Sequence, residues 1–524
     1  MIKKKNSKQT TTLAKPGIFV ALFTLISRIL GFIRDMLFAK YFGASATMEA
    51  FLVAFRVPNF IRRLFVEGAI TQALTPSFVH LQDKPKRQNL ILRQLISYIG
   101  GFTLLLSVLG MIFSSLWVLL FAPGFYDDPM RLNLAKNLLA IMFPYIFLMS
   151  LTAVFAALLN SLQRFNLPAL TPVILNVCMI SFICFSSKFS IPIYAVAMSV
   201  LIAGILQCCF HIYALWRLGF HLTPVIKWPI KTVKRILKRI LPAIFGASII
   251  QISLLIETVF ASFLTTGSLS WLYYPDRLNQ FPLGIFGLTL STIILPSLSK
   301  YKRQATHFNH TLNWAIKWVF LLSVPATFAM CVLSSAILIT LFHYGAFSLF
   351  DVMQSQRALI AFSIGLSAFV LIKVFISALY AYGITKPVVK IGALCLLFNI
   401  ISNLILVYFL KAYSLGYLAL AISTTLTAIL NAAGLYLLLH RKYHFHVNKQ
   451  LVTFILRILL ASIVMAVILY VCKGDISDWL KLSFFKRISW LAGLVILGLI
   501  SYGALLWLLR VKQQDMALHK NDTI

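Results

Sequence analysis

The chain has 524 residues, of which 60% are hydrophobic and 11% charged, whereas soluble domains run at about 25% charged. With a mean hydropathy of +0.90, a soluble enzyme is excluded. The 47 Lys and Arg outnumber the 13 Asp and Glu by 34, but they are interleaved with apolar runs, which fits a positive-inside signal and attraction to anionic lipid rather than nucleic acid.

Apolar stretches long enough to span a bilayer, about 20 residues each, recur from Pro16 to Leu509. They are predicted at 16–41, 47–80, 92–122, 134–161, 168–187, 190–216, 236–264, 270–299, 312–342, 354–382, 387–410, 414–440, 450–472 and 486–510. The expected class is therefore an all-α polytopic membrane protein of about fourteen transmembrane helices. The basic start resembles that of a signal peptide, but the apolar run after it contains Arg28 and Arg34 and has no A-x-A site, so it is expected to be retained. The seven cysteines lie in or beside apolar runs without paired loop spacing, and read as small core residues.

Alternate loops differ sharply in charge. One set carries Lys84, Lys86 and Arg87, then Arg164, then Lys227, Lys231, Lys234, Arg235, Lys238 and Arg239, then Lys300, Lys302 and Arg303, and later Lys386, Arg441, Lys442 and Lys449. The other set, at 43–48, 265–270 and 343–351, has no Lys or Arg, and the loop at 123–131 holds Asp127 and Asp128. Both termini are thus expected in the cytoplasm. The loop at 473–487 runs against the pattern, with Lys473, Lys481, Lys486 and Arg487.

The chain also repeats itself. FVEGAITQALTPSF reaches Pro76 and FGLTLSTIILPSLS reaches Pro296, an offset of 220 shared by Asn59 and Asn279. Pro168 and Pro387 are 219 apart, and Gly124 and Gly345 are 221 apart. Two parallel six-helix lobes related by a pseudo-twofold axis are expected, at 16–217 and 236–442, with a basic cytoplasmic N-terminus at 1–15 and a basic linker at 218–235. Two additional spans at 443–511 and a cytoplasmic tail at 512–524 complete the chain. In transporters so built, the substrate lies between the lobes.

The unusual chemistry is in the first two spans. Ser27, Arg28, Arg34 and Asp35 lie in the first, and Arg28 and Asp35, seven apart, share a face and are expected to pair. In the second, Arg56, Asn59, Arg63 and Glu67 form one stripe with Arg62 beside it, and Glu67 can pair with Arg63 at i,i+4. Arg34, Arg56 and Arg62 then remain in excess. Each Arg at mid-bilayer costs about 2.5 to 3.5 kcal/mol, so the set either snorkels from helix ends or lines a wet, cationic cavity. A cationic cavity implies an anion, and the planar guanidinium suits phosphate or carboxylate. In the second lobe YYPDRLNQFPLG supplies Asp276, Arg277 and Gln280. Glu257 and Lys373 are further buried charges that either pair, snorkel or hold an ion, whereas His440, His444 and His446 read as an interfacial cluster. No phosphate loop, H-E-x-x-H or G-x-S-x-G motif occurs, so neither an enzyme, a metal nor a cofactor is expected.

SRILGFIRDMLFAKYFGAS, VAFRVPNFIRRLFVEGAITQALTPSF, SWLYYPDRLNQFPLGIFGLTLSTIILPSLSK and the stretch from QRALIAFSIGL to LIKVF resemble the bacterial lipid II flippases of the MurJ (MviN) type, within the multidrug/oligosaccharidyl-lipid/polysaccharide exporter superfamily. The resemblance covers almost the whole chain. It implies a transporter that moves the undecaprenyl-pyrophosphate-linked peptidoglycan precursor, lipid II, from the inner to the outer leaflet of the bacterial inner membrane by alternating access. Substrate contacts would be Arg28, Arg34, Arg62, Arg63 and Arg277 with Ser27 and Asn59, and Glu67, Asp35, Asp276 and Glu49 would be structural or switching acids. Glu49 stands where Asp is common, and Gln280 where close relatives have Glu. The last two spans resemble a groove for the polyprenyl tail. Besides lipid II, the implied partners are membrane lipids and proteins of wall synthesis or division. The competing readings are an exporter of another polyprenyl-linked glycan, a drug exporter, whose cavity should instead carry acids, and a lipid-binding scaffold that transports nothing.

The loop asymmetry makes a direct prediction. In a background lacking the native cysteines, single cysteines at positions 45, 268 and 346 should react with an impermeant thiol reagent added outside intact cells, and those at 85 and 302 should not. Labelling of the second group alone would invert the orientation.

Overall fold

The computed structural model describes residues 5–63, 70–301, 304–443 and 445–511, and every regular element among them is a helix. The chain divides into two compact units, Met1–Thr266 and Gly267–Ile524. The first unit contains α1 (Lys5–Phe42), α2 (Ala46–Arg62), α3 (Thr71–Val79), α4 (Pro85–Ile112), α5 (Ser114–Phe121), α6 (Pro129–Met142), α7 (Pro144–Ser161), α8 (Asn166–Ala169), α9 (Thr171–Cys184), α10 (Pro192–Arg217) and α11 (Lys231–Ser262). The second contains α12 (Ser268–Pro282), α13 (Leu288–Tyr301), α14 (Ala305–Phe342), α15 (Leu349–Ile364), α16 (Leu366–Ala381), α17 (Lys386–Lys411), α18 (Gly416–Tyr443), α19 (Lys449–Cys472), α20 (Ile476–Lys481) and α21 (Phe484–Leu508). Among the described residues, 11 helical runs are long and apolar enough to cross a membrane. The other three predicted spans fall on α1, on α2 with α3, and on α11.

Local sequence explains the starts and stops. Proline opens α4, α6, α7 and α10, where its missing N–H costs nothing. Ser45 caps α2 by accepting from the Met48 N–H at 3.3 Å, and Ser348 and Asp351 close a capping box on α15. Apolar side chains of α3, α4, α7 and the first turns of α11 share one core, with Leu92, Leu95, Leu158, Val233 and Ile236 all buried. A matching core in the second unit joins α13, α14, α16 and α18.

The repeat is visible as a shared defect. Where α2 ends, Arg63 is π-helical, and α12 gives way to a π-helix at Leu283–Gly287, which starts 220 residues after Arg63 and so keeps the spacing of the repeat. Pro76 and Pro296 then lie inside α3 and α13. The two C-terminal spans belong to the second unit: α19 packs on α14 through Phe454, Ile458 and Val324, and Tyr502 of α21 donates to the Leu321 carbonyl at 2.9 Å.

One boundary differs from the sequence reading, which assigns 236–264 to the second lobe. The structure packs α11 against α3, α4 and α5 in the first unit. The reason is twofold: Val233, Ile236 and Ile240 are needed in the first core, and the far end of α11 is tied to the turn Pro123–Asp127, where the Gly124 N–H donates to Ser262 Oγ at 3.0 Å. The loop at 473–487 also acquires an explanation. Arg487 is buried, donating to the carbonyls of Trp479 at 2.9 Å and Leu480 at 3.1 Å, and it lies over the Tyr344 ring. That charge serves to fold the loop.

Gly124 approaches α11 so closely that a Cβ there would lie 2.3 Å from the Ser262 carbonyl oxygen, a backbone atom with little freedom to move. Gly124→Ala should therefore lower stability by about 1 to 3 kcal/mol. Ser262→Ala, which removes only the hydrogen bond, should cost about 1 kcal/mol. Thermal unfolding of the purified variants in detergent ranks the two; equal effects would show that the contact is not tight.

Candidate functional site

The polar cluster of the first unit begins on α1. Arg34 and Asp35 are both buried, at 7% and 3% exposure, and form an ion pair with Nη2 2.7 Å from Oδ1. Arg34 Nη1 also donates to Asn176 Oδ1 of α9 at 3.0 Å, and its guanidinium lies over the Phe38 ring. Asn176 in turn donates to the Ser27 carbonyl at 3.0 Å and to Ser27 Oγ at 3.3 Å. This arrangement corrects two expectations. Asp35 pairs with its neighbour Arg34 rather than with Arg28: Arg34 brings Nε and Nη2 onto Asp35 Oδ1 while Asn176 of α9 accepts from its Nη1. Arg34 is consequently not in excess. Arg28, six residues before Arg34, is half-buried, and its side chain makes no hydrogen bond or ion pair among the described residues.

A second group lies along α2, whose Pro58 is buried inside the helix. Arg56 donates to Thr258 Oγ1 of α11. Arg62 Nε donates to Asn59 Oδ1 at 3.3 Å, while Asn59 Nδ2 reaches the Phe55 carbonyl at 3.1 Å. Arg62 and Arg63 are half-buried. Glu67, the expected partner of Arg63, lies outside the described residues. Glu257, half-buried on α11, precedes Thr258.

Glu49 is nearly inaccessible, at 1% exposure, in the first turn of α2, where the helix dipole favours a carboxylate. Its Oε2 is 3.1 Å from Arg131 Nη1 of α6, and Arg131 Nε is 2.6 Å from Asp128 Oδ2. The Arg131 backbone N–H, followed by its side chain, holds the Asp128 carboxyl below the usual carboxylate range. Glu49 is therefore a strut between α2 and α6.

In the second unit, Arg277 of α12 lies over the Tyr273 ring at 5.0 Å, and Gln280 Nε2 donates to Asp276 Oδ2. An amide can make that bond where an ionised Glu could not. Lys373 of α16 lies against the end of the π-helix, with its Cδ 2.9 Å from where a Cβ on Gly287 would be. A side chain at 287 would oblige the flexible Lys373 side chain to shift. Trp271 Nε1 of α12 donates to Asp351 Oδ1 of α15 at 2.7 Å. His440 and His446 meet edge to face at 4.9 Å; His444 lies outside the described residues. Among the described residues no group of three or more His, Cys, Asp or Glu could hold a metal.

Sequence reasoning missed Asn176, Thr258 and Arg131. Asn176 was detectable as the one amide in the apolar stretch TPVILNVCMISFIC.

Comparison with known proteins decides the family. The family model described as "Lipid II flippase MurJ" matches residues 38–489. The chain belongs to the MurJ lipid II flippase family. It is 38% identical over 517 residues to the probable lipid II flippase MurJ of Haemophilus influenzae, covering 95% of this chain and 100% of the relative. Identity to the corresponding protein of Buchnera aphidicola subsp. Acyrthosiphon pisum is 39% over 485 residues, 91% and 93% of the two chains. The fold is similar to a solved lipid II flippase MurJ in an inward closed conformation, with a TM-score of 0.79 and 27% identity over 94% of this chain and 98% of that one. The all-helical MurJ-like fold is thus shared by sequence and structure.

The Arg34 and Asp35 pair offers a test. Asp35→Asn should leave a buried guanidinium uncompensated and cost about 3 to 5 kcal/mol. Arg34→Gln in the same chain should recover part of that loss. A double-mutant cycle on thermal unfolding reads the coupling, and additive effects would mean that the two side chains do not stabilise each other.

Proposed function

We propose that this chain flips lipid II from the inner to the outer leaflet of the bacterial cytoplasmic membrane. The observation that carries the reading is Arg28, a half-buried guanidinium inside α1 that makes no ion pair among the described residues, while the acid on its own helix is taken by Arg34. Family membership supports the same substrate, since the relatives are named lipid II flippases. The pyrophosphate of lipid II docks on Arg28 together with Arg62 and Arg63, with Ser27 and Asn59 as further polar contacts, and Asn59 also holds Arg62. Within the second unit Arg277 is a further contact to the anionic head group. Arg34 acts by positioning α1 against α9 rather than by touching substrate, because its donors are already engaged. Asp276, Glu49 and Glu67 serve as structural or switching acids.

The sugar and peptide head travels through a wet site exposed alternately to the two sides, and the polyprenyl tail stays in lipid beside α19 and α21. No covalent bond is made or broken. Moving net negative charge outward is favoured by an inside-negative potential, at about 2.3 kcal/mol per charge per 100 mV. Both termini are cytoplasmic in this scheme, and proteins of wall synthesis or division are its candidate partners.

Arg28→Ala and Arg277→Ala should fail to rescue a cell depleted of its lipid II flippase, although the protein inserts and accumulates. They should also fail to expose fluorescent lipid II on the far side of liposomes. Arg28→Lys should retain part of the activity, since a point charge lacks the bidentate fork. Full activity of Arg28→Ala would reduce that residue to a snorkelling side chain.

A further inference from the structure

The segment between α10 and α11 has a structure of its own. Residues 220–230 form no helix, yet the polar face of α4 grips their backbone: Arg93 Nε donates to the Thr223 carbonyl at 2.8 Å, Tyr98 Oη to the Lys227 carbonyl at 2.8 Å and Gln94 Nε2 to the Trp228 carbonyl at 3.2 Å. In the other direction Asn89 Oδ1 accepts from the His221 N–H and Gln94 Oε1 from the Ile230 N–H. Phe220, Leu222 and Ile230 turn inward and pack on the first unit's core. The segment is a strap fixed at several points.

Against that fixed backbone, Ile226 and Trp228 project outward, each 93% exposed. Large apolar side chains held so far into solvent by a gripped backbone are costly unless something apolar covers them. The setting says what does. Lys227 separates the pair, and Lys231, Lys234, Arg235 and Lys238 follow on the exposed side of α11. The level is marked on α4 itself, whose exposed surface is charged at Lys84, Lys86 and Arg87 and wholly apolar by Phe102, Leu104 and Leu105. Gln94 and Tyr98, the residues that hold Trp228 and Lys227, lie between the two. A Trp and Tyr at the change from charged to apolar surface mark the headgroup layer of a bilayer.

We propose that the strap is an interfacial anchor: Ile226 and Trp228 insert among the headgroups of the membrane that the spans cross, and Lys227 with the basic start of α11 selects anionic phospholipid. The apolar pair supplies insertion depth and the cations supply lipid preference. The anchor is independent of the arginines assigned to substrate.

The test uses the full chain in nanodiscs of phosphatidylcholine alone or with phosphatidylglycerol, carrying a nitroxide at Ile226→Cys in a background without native cysteines. Collision with oxygen should exceed collision with an aqueous nickel chelate several-fold relative to a label at the exposed Gln82, and the excess should grow with phosphatidylglycerol. Replacing Lys227, Lys231 and Lys234 with Gln should abolish the lipid dependence while leaving the oxygen preference. Nickel access at 226 equal to that at 82 in both bilayers would overturn the proposal and leave the pair as a surface for a protein partner. Oxygen preference that is blind to phosphatidylglycerol would overturn the anionic selectivity.

Discussion

A guanidinium inside a membrane span needs an anion, an oriented dipole or water within reach, and the first unit is organised around that requirement. Arg34 finds Asp35 and an amide on α9, and Arg131 finds Glu49 and Asp128. Arg56 reaches a hydroxyl on α11. Each solution also joins two helices: the packing of α1 on α9 and of α2 on α6 is specified by charge as well as by apolar fit, and Arg56 ties α2 to α11. Arg28 makes no ion pair among the described residues, and the proposed transport chemistry is founded on it.

The two units meet the same demand with different means. In both, the helix that carries the offset of 220 turns π-helical at the same point, Arg63 in one and Leu283 in the other. Such a π-turn leaves backbone carbonyls poorly partnered and recurs at functional positions. Around it the second unit has its own side chains: an amide, Gln280, satisfies Asp276 just before the turn, and Lys373 lies against Gly287 at its end. The repeat therefore preserves the backbone interruption more faithfully than the side chains around it.

Much of this was legible beforehand. Helical content and the positions of 11 spans follow from hydropathy, and the offset of 220 from proline and asparagine spacing, all of which depend only on local sequence. The arginine set was also legible, because charge in an apolar run stands out. Pairing was not. Helical periodicity placed Arg28 and Asp35 on one face, but the partner of Asp35 was decided by Asn176, 141 residues away along the chain. The assignment of α11 failed for a similar reason. Its apolar positions fit either lobe by pattern, and what distinguishes them is long-range: Val233, Ile236 and Ile240 in the first core and the contact of Gly124 with Ser262.

The two tethers on α11 give it the mechanics of a beam clamped near its end. Thr258 is held from α2 and Ser262 from the turn before α6, so the last turns of the helix are stiffened against bending. The chain then runs through 263–266 to Gly267, whose φ of +102° few side-chain-bearing residues would tolerate. Bending of the last turns of the 32-residue helix α11 therefore works against two tethers at once, and a load applied there is passed to α2 and to the turn before α6.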